Sequence, residues 1–329
     1  MDASDIPTVS TRLKMTDRLG RMRMRWAIGR NRYRVQPGLY KVGAPDPSSP
    51  VLVTANYKLS FNALRVELEG VDAWILVLDT SGVNVWCAAG KGTFSTDELV
   101  RQVQSIGLSE IVSHRKLVVP QLGAPGIAAH EVRLICGFKV VYGPVRTRDI
   151  PAFLEAGMRA TEEMRRVTFN LGERLEVVGV EIVWVFKWII PIVAAMVLLA
   201  DGESIVDRVG AAMLTASPVL AGVLAGVVLV PILLPWIPGR AFSFKGAILG
   251  AVAVGATLAL TPAGHSTAVN IQLFLFGTAV ASFLAMQFTG STTFTSPSGV
   301  EWEMRRALPF QIGAAVIASS IAVARIFGG

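Results

Sequence analysis

The segment Asn84-Val85-Trp86-Cys87-Ala88-Ala89-Gly90-Lys91 is the stretch of this chain best equipped for chemistry. It sets a metal-binding, nucleophilic sulfur among small residues. On a helical turn the Cys87 thiol would project outward. Ala88, Ala89 and Gly90 would leave room for a large flat ligand, and Lys91 would offer it a positive charge. Spacing alone leaves three readings open: a small cysteine buried in a packed loop, a metal ligand, or a nucleophile. For the last, no positioned His/Asp pair is readable from one sequence. The only other cysteine is Cys136, and two thiols without CxxC spacing build neither a disulfide framework nor a zinc or iron–sulfur site of the chain's own. Cys136 ends an amphipathic pattern, Leu134-Ile135-Cys136-Gly137, and reads as core packing.

Several alternative chemistries are disfavoured by their missing residues. Gly90-Lys91-Gly92-Thr93 resembles part of a phosphate loop, but GxxxxGK[ST] needs Gly where Val85 stands and Ser or Thr where Gly92 stands. The first apolar strand is followed by Asn56-Tyr57-Lys58, not by GxGxxG, which argues against a dinucleotide site. HExxH is absent, and His114, His130 and His265 are far apart and read as structural.

The elements that would position Cys87 are short apolar runs alternating with helical stretches. Val51–Ala55, Ala73–Asp79, Lys116–Pro120 and Phe138–Tyr142 read as buried strands. Helices are expected over Leu59–Glu69, Thr96–Ile106 with Thr96 as N-cap, Ile127–Cys136, and Asp149–Met158 with Pro151 in its first turn. Near-continuous apolar strands separated by helices predict an α/β, Rossmann-like domain, a doubly wound parallel sheet covered on both faces. Ligands bind such sheets beyond the carboxyl ends of the strands. Here those ends are Thr54-Ala55-Asn56, Asp79-Thr80-Ser81-Gly82, Pro120-Gln121-Leu122-Gly123 and Tyr142-Gly143-Pro144, all small or polar.

The eight-residue segment around Cys87 resembles the signature of the mercury-methylation corrinoid proteins, HgcA. The likeness continues through Pro37-Gly38-Leu39-Tyr40, Val53-Thr54-Ala55-Asn56-Tyr57, Leu78-Asp79-Thr80, Gly90-Lys91-Gly92-Thr93-Phe94, Pro120-Gln121-Leu122-Gly123 and Tyr142-Gly143-Pro144-Val145-Arg146. A membrane tail after such a domain is also that family's layout. The resemblance implies a cap helix over a cobalamin-type corrinoid, with Cys87 as catalytic residue and lower axial cobalt ligand. Asn84, Val85, Trp86, Ala88, Ala89, Gly90 and Lys91 would shape that cap. Thr54, Asn56, Gln121, Gly123, Tyr142 and Gly143, at the strand ends, would hold the corrin side chains and the displaced nucleotide tail. The commoner corrinoid motif DxHxxG does not occur, which fits sulfur replacing histidine. The implied activity is a corrinoid-dependent methyltransferase: the methyl passes from a Cys-ligated methyl-cobalt corrinoid to inorganic Hg(II), giving methylmercury. The implied partners are a ferredoxin-like iron–sulfur protein, HgcB, as reductant, and an upstream methyl donor protein or a folate.

The charge distribution divides the chain. Through Glu176 there are 24 Lys/Arg and 18 Asp/Glu, whereas the remaining 153 residues carry 7 and 6. So uncharged a second half excludes a wholly soluble protein, and its apolar runs reach the ~20 residues that cross a bilayer as helix. The expected domains are a basic arm and lead-in over 1–50, a corrinoid-binding domain over 51–168, a linker over 169–179 and a membrane domain over 180–329. Five spans are expected, at about 180–200, 211–234, 246–263, 268–288 and 307–327. With the charged domain inside, the inner loops hold Arg240, Lys245, Arg305 and Arg306, against Arg208 and Arg325 outside. This predicts a multi-pass protein of the cytoplasmic membrane with its C-terminus outside. Gly222–Gly226 and Gly246–Gly250 have the GxxxG spacing of close helix packing, and Lys187 would snorkel from the first span. Met1 to Ser10 lacks the charge and apolar run of a signal peptide.

Arg12 to Arg34 carries nine Lys/Arg and one acid, Asp17. It reads as a solvated arm, or as a segment drawn to anionic lipid or to an acidic partner. Nucleic acid is disfavoured, because little aromatic interleaving accompanies the charge. Two rival functions remain: a membrane-anchored corrinoid carrier with another methyl acceptor, and a non-enzymatic membrane sensor.

Overall fold

The computed structural model describes residues 6–26, 32–261, 265–290 and 297–327, and the chain forms two compact units, Met1–Thr168 and Phe169–Gly329. Residues 27–31 of the basic run, and the first five residues of the stretch scanned for a signal peptide, lie outside the described residues. The first unit opens with helix α1 (Met15–Arg25) and strand β1 (Gly38–Val42). Then come β2 (Val51–Ala55), α2 (Lys58–Val66), β3 (Ala73–Leu78), α3 (Val85–Lys91), α4 (Thr96–Ile106) and the single turn α5 (Leu108–Ile111). It closes with β4 (Lys116–Val119), α6 (Ala129–Cys136), β5 (Lys139–Tyr142), α7 (Ile150–Glu155) and α8 (Glu162–Arg165).

The strands form one five-stranded sheet in the order β1-β3-β2-β4-β5. β2 runs parallel to β3 and β4, and β4 parallel to β5, with Leu52 facing Val118 and Val118 facing Val141. Every residue of β2 and β3 is buried, as expected of strands covered on both faces. Alternate side chains feed two cores. Val51, Val53, Leu76, Leu78, Leu117 and Val119 pack with residues of α3, α4 and α6, while Leu52, Ile75, Val77 and Val118 pack with Phe61 and Leu64 of α2 and Ile150 and Phe153 of α7.

A wholly parallel sheet does not form. β1 joins the edge antiparallel to β3, pairing Gly38 with Val77 through Val42 with Ala73. This strand falls in the stretch expected to be only a lead-in. Gly38-Leu-Tyr-Lys-Val42 is interrupted by Gly38 and Lys41 rather than running continuously apolar, and only Leu39 and Val42 are fully buried, one in each core. At α4 the cap is Ser95, not Thr96: its hydroxyl accepts from the Glu98 N–H at 3.3 Å.

α1 is held down by one carboxylate. Asp17 meets Lys58 at 2.9 Å and Arg65 at 2.8 Å. Arg65 also donates to Asn62 Oδ1 at 2.8 Å and to the Ser10 and Arg12 carbonyls. Burial raises the Asp17 pKa, but the Lys58 hydrogen bond, the Lys14 N–H and the Lys58 and Arg65 charges outweigh it, leaving the carboxyl below its ordinary value.

Among its described residues the second unit contains five helices long and apolar enough to cross a membrane: Leu171–Leu199, Ile205–Leu233, Phe242–Leu260, Thr267–Phe288 and Gly299–Arg325. The first, α9 (Leu171–Leu199), starts inside the expected linker. Asn170 and Glu173 form a capping box there, so the helix begins where its N-terminal amides find acceptors. The second combines α10 (Ile205–Leu224), a wider turn at Ala225–Leu229 and α11 (Val230–Leu233). The others are α12 (Phe242–Leu260), α13 (Thr267–Gly290) and α14 (Pro297–Phe327). Both GxxxG pairs pack against α13. A Cβ on Gly222 would lie 3.0 Å from the Gly277 carbonyl carbon, and one on Gly246 would lie 2.9 Å from Ser282 Cα. Lys245, expected in a loop, lies buried in α12 and donates to the Leu234 and Ile237 carbonyls at 2.6 and 2.8 Å. Arg174 does the same for Pro231 and Ile232, at 2.9 and 3.1 Å. Both cations satisfy carbonyls left open where the Pro-rich second helix ends. Lys187 is exposed on α9.

Candidate functional site

The helix bearing Cys87 is fixed at its start by a buried amide. After β3 the backbone turns through Ser81 and Gly82, both left-handed at φ 56° and 74°. Asn56, just past β2 and 1% exposed, clamps that turn. Its Oδ1 accepts from Thr80 N at 3.1 Å, Thr80 Oγ1 at 2.9 Å and Gly82 N at 2.9 Å, and its Nδ2 donates to Asp79 Oδ1 at 2.9 Å. Asp79 Oδ1 also takes the Ser81 N–H at 3.0 Å, and Asp79 N donates to Glu98 Oε1 at 2.8 Å. Asn84 then caps α3, accepting from Cys87 N at 2.8 Å. Gly92, at φ 76°, ends the helix, and Phe94 N returns to Ala88 O at 3.1 Å.

α3 has two faces. Val85, Ala88 and Ala89 point into the core, while Cys87, Gly90 and Lys91 lie on the opposite side, 100° per residue around the helix. Cys87 is half-buried and its sulfur is free. Nothing lies within 4 Å of where a Gly90 Cβ would stand, so the surface beside the thiol is open. The inner face packs on the turn Gln121–Gly126 that follows β4. Gly126 approaches Ala89 Cα so closely that a Cβ there would sit 3.2 Å away and collide with the Phe94 carbonyl. A Cβ on Gly123 would press on the Phe94 ring at 2.5 Å.

This arrangement occupies the switch point of the sheet. β2 is followed in sequence by its neighbour on one side, β3, and later by its neighbour on the other, β4, so the crevice opens between the carboxyl ends of β2 and β4. Asn56 lies at one lip and Gln121 at the other, and α3, reaching from β3, touches both sides. Gln121 Oε1 is sealed from solvent with no donor, an unsatisfied acceptor of the kind that ligand binding can complete.

The structure thus brings Asn84 through Lys91 together with Gln121 and Gly123. Thr54 is buried within β2, 3% exposed. Asn56 spends its whole amide on the loop, so it positions α3. Tyr142 and Gly143 sit at the end of β5, at the far edge of the sheet. The Tyr142 hydroxyl donates to Ile127 O at 2.7 Å, and burial raises its pKa. Gly143 N donates to Val119 O at 2.8 Å. Cys136 packs against the core, its thiol on Val132 O at 3.1 Å. Two supports went unread in the sequence. Glu98 anchors the start of the loop, and its S-x-x-E spacing from Ser95 was the available signal. Gly126 admits α3 and carries no such signal, since its need appears only in the packing.

Residues 20–154 match the family described as CdhD: CO dehydrogenase/acetyl-CoA synthase delta subunit. Over 132 residues the chain is 35% identical to the acetyl-CoA decarbonylase/synthase complex subunit gamma of Methanopyrus kandleri, covering 39% of this chain and 28% of that subunit. The Archaeoglobus fulgidus subunit gamma is 33% identical over 123 residues, 37% of this chain and 26% of its own. Subunit gamma 2 of Methanosarcina thermophila is 33% identical over 125 residues, again 37% and 26%. The chain therefore spans about a quarter of the length of these relatives. The family match ends before the first apolar helix begins at Leu171.

Proposed function

We propose that this chain holds a cobalamin-type corrinoid against α3, with Cys87 as the residue whose sulfur would hold the cobalt, and delivers a methyl group to inorganic Hg(II). The observation that carries the reading is the outer face of α3: one free sulfur beside a glycine with open space around it. Among the described residues no three His, Cys, Asp or Glu side chains converge to hold a metal ion, so Cys87 offers a single donor. That would suit a metal carried in by a cofactor that supplies its other donors, and a cysteine sulfur is a softer donor than imidazole. The residues present therefore fit the group. When bound, a corrinoid supplies a cobalt centre able to carry a methyl group and release it to an electrophile.

The remaining work falls to this chain. Asn84 fixes the first turn of α3, so the sulfur is presented at a constant position. Asn56 and Glu98 fix the loop before it. Gly90 keeps the face flat, and exposed Lys91 offers a cation to an anionic edge of the ligand. Gln121 Oε1 would accept from the amide-bearing periphery of a corrin. HgcB as reductant, and a methyl donor protein or folate upstream, complete the proposal. The five apolar helices would lie in the cytoplasmic membrane, the α/β domain inside and the C-terminus outside.

Homology to acetyl-CoA decarbonylase/synthase gamma subunits supports a corrinoid methyl carrier and leaves its acceptor open. It favours a second reading, the same carrier with a different acceptor. The full chain reconstituted with cobalamin should give a sulfur-ligated cobalt spectrum that disappears in Cys87→Ala, with the protein's thermal unfolding unchanged. Methylmercury formation with Hg(II) as sole acceptor then separates the two readings. An identical spectrum in Cys87→Ala, or no bound corrinoid in either protein, would sink both.

A further inference from the structure

α1 has two distinct faces on opposite sides. At 100° per residue, Asp17, Gly20 and Met24 share one side. All three are buried, and a Cβ on Gly20 would press on the Tyr33 ring at 2.6 Å. That side is docked on the domain through the Asp17 bridge to Lys58 and Arg65. The opposite side carries Met15, Leu19, Met22 and, just past the helix, Trp26, spaced i, i+4, i+7, i+11. These four lie within an arc of about 60°, and their exposures are 68%, 53%, 60% and 52%. Docking alone needs only the first face.

Charge accompanies the stripe. Arg18 lies about 70° to one side of its centre and Arg23 about 70° to the other, both exposed, and Arg21 follows further round. The single acid of the run, Asp17, is turned inward and already paired. We infer that α1 lies in the headgroup layer of an anionic membrane leaflet, with Met15, Leu19, Met22 and Trp26 entering the acyl boundary and Arg18 and Arg23 reaching phosphate groups. An apolar stripe flanked by arginines, with an aromatic residue at its end, is the composition of interfacial helices. The chain's own five apolar helices keep a bilayer within reach. A second copy fits the stripe poorly, because pairing two α1 helices would bring Arg18 and Arg23 against their own counterparts.

The test uses the full chain in nanodiscs of phosphatidylcholine alone and of phosphatidylcholine mixed with phosphatidylglycerol, read by amide hydrogen exchange. The expected result is exchange over residues 15–26 slowed about tenfold in the anionic discs. The slowing should be lost in high salt, and lost in Leu19→Glu/Met22→Glu. Exchange through β2 and β3 serves as the folding control and should stay unchanged. Arg18→Gln/Arg23→Gln keeps the stripe, and should lose the lipid dependence while remaining folded. A photocrosslinker in place of Met22 should yield lipid adducts. Equal exchange in both discs, adducts to a second protein, or adducts between two copies of the chain would each overturn the inference.

Discussion

Replacing Asn56 by alanine should loosen α3 without touching it. The substitution leaves the Thr80 and Gly82 amides without an acceptor in a region where Thr80 is fully buried and Gly82 is buried. The Thr80 hydroxyl keeps the Val83 carbonyl at 2.7 Å, so it is not stranded. A buried donor without a partner costs roughly 1–3 kcal/mol, so two of them cost about 2–6 kcal/mol. Asn56→Asp is the sharper variant. It retains the oxygen that accepts three hydrogen bonds, but puts a second carboxyl at the 2.9 Å contact with Asp79. Two carboxylates that close share a proton, raising a folded-state pKa. Stability from such a raised group is present below the unfolded value and lost as pH rises through the folded one. Asn56→Asp should therefore regain stability between pH ~6 and pH ~4, whereas Asn56→Ala should gain nothing comparable there. Pulse proteolysis of the full chain in detergent across a urea series measures both, and the rate of Cys87 alkylation reports whether α3 has loosened. An Asn56→Ala protein within about 0.5 kcal/mol of the parent, with unchanged Cys87 alkylation, would refute the clamp.

Gly90→Ala should stabilise α3 by about 0.5–1 kcal/mol, since its Cβ meets nothing and the helix gains a better former. Gly90→Leu should fold equally well yet retain at least about tenfold less cobalt per protein after cobalamin loading and washing, because it fills the face beside Cys87. For Asp17, whose folded pKa is lowered, the contribution to stability is present above the ordinary value of 3.8 and is lost as pH falls below it. Hydrogen exchange over 15–26, corrected for its intrinsic pH dependence, should rise below about pH 4 in the parent; in Asp17→Asn it should already be high at pH 7. In the second unit, Gly246→Leu must displace α13 and should cost about 3 kcal/mol or more, whereas Gly313→Ala meets no atom and should be neutral. Thermal aggregation of the detergent-solubilised chain separates the two.

What could be read in advance followed from whether the cause lay along the chain or across it. β2 and β3 announce themselves because both faces are covered and the run is continuously apolar. β1 hides, because Gly38 and Lys41 interrupt its apolar run, and Gly38–Val42 follows a basic arm that draws attention to charge. Ala88 and Ala89, expected to leave room for a ligand, face the core with Val85, while the outward-facing sulfur of Cys87 was legible from the helical turn alone. The role of Asn56 was not. At the end of a strand an asparagine can face a ligand or clamp a loop, and only Thr80, Gly82 and Asp79 converging on one amide decide for the clamp. Lys245 makes the same point within the apolar half. Counted along the sequence it is one more loop cation, yet Pro235 and Pro238 nearby interrupt the helical hydrogen bonding and leave carbonyls that need a donor. The lysine supplies it from a buried position. Its charge therefore weighs less in the orientation argument than Arg240, Arg305 and Arg306, which are exposed. Without Lys245 the inner loops still hold three cations against Arg208 and Arg325. The proposed orientation with the α/β domain inside then rests on a margin of one.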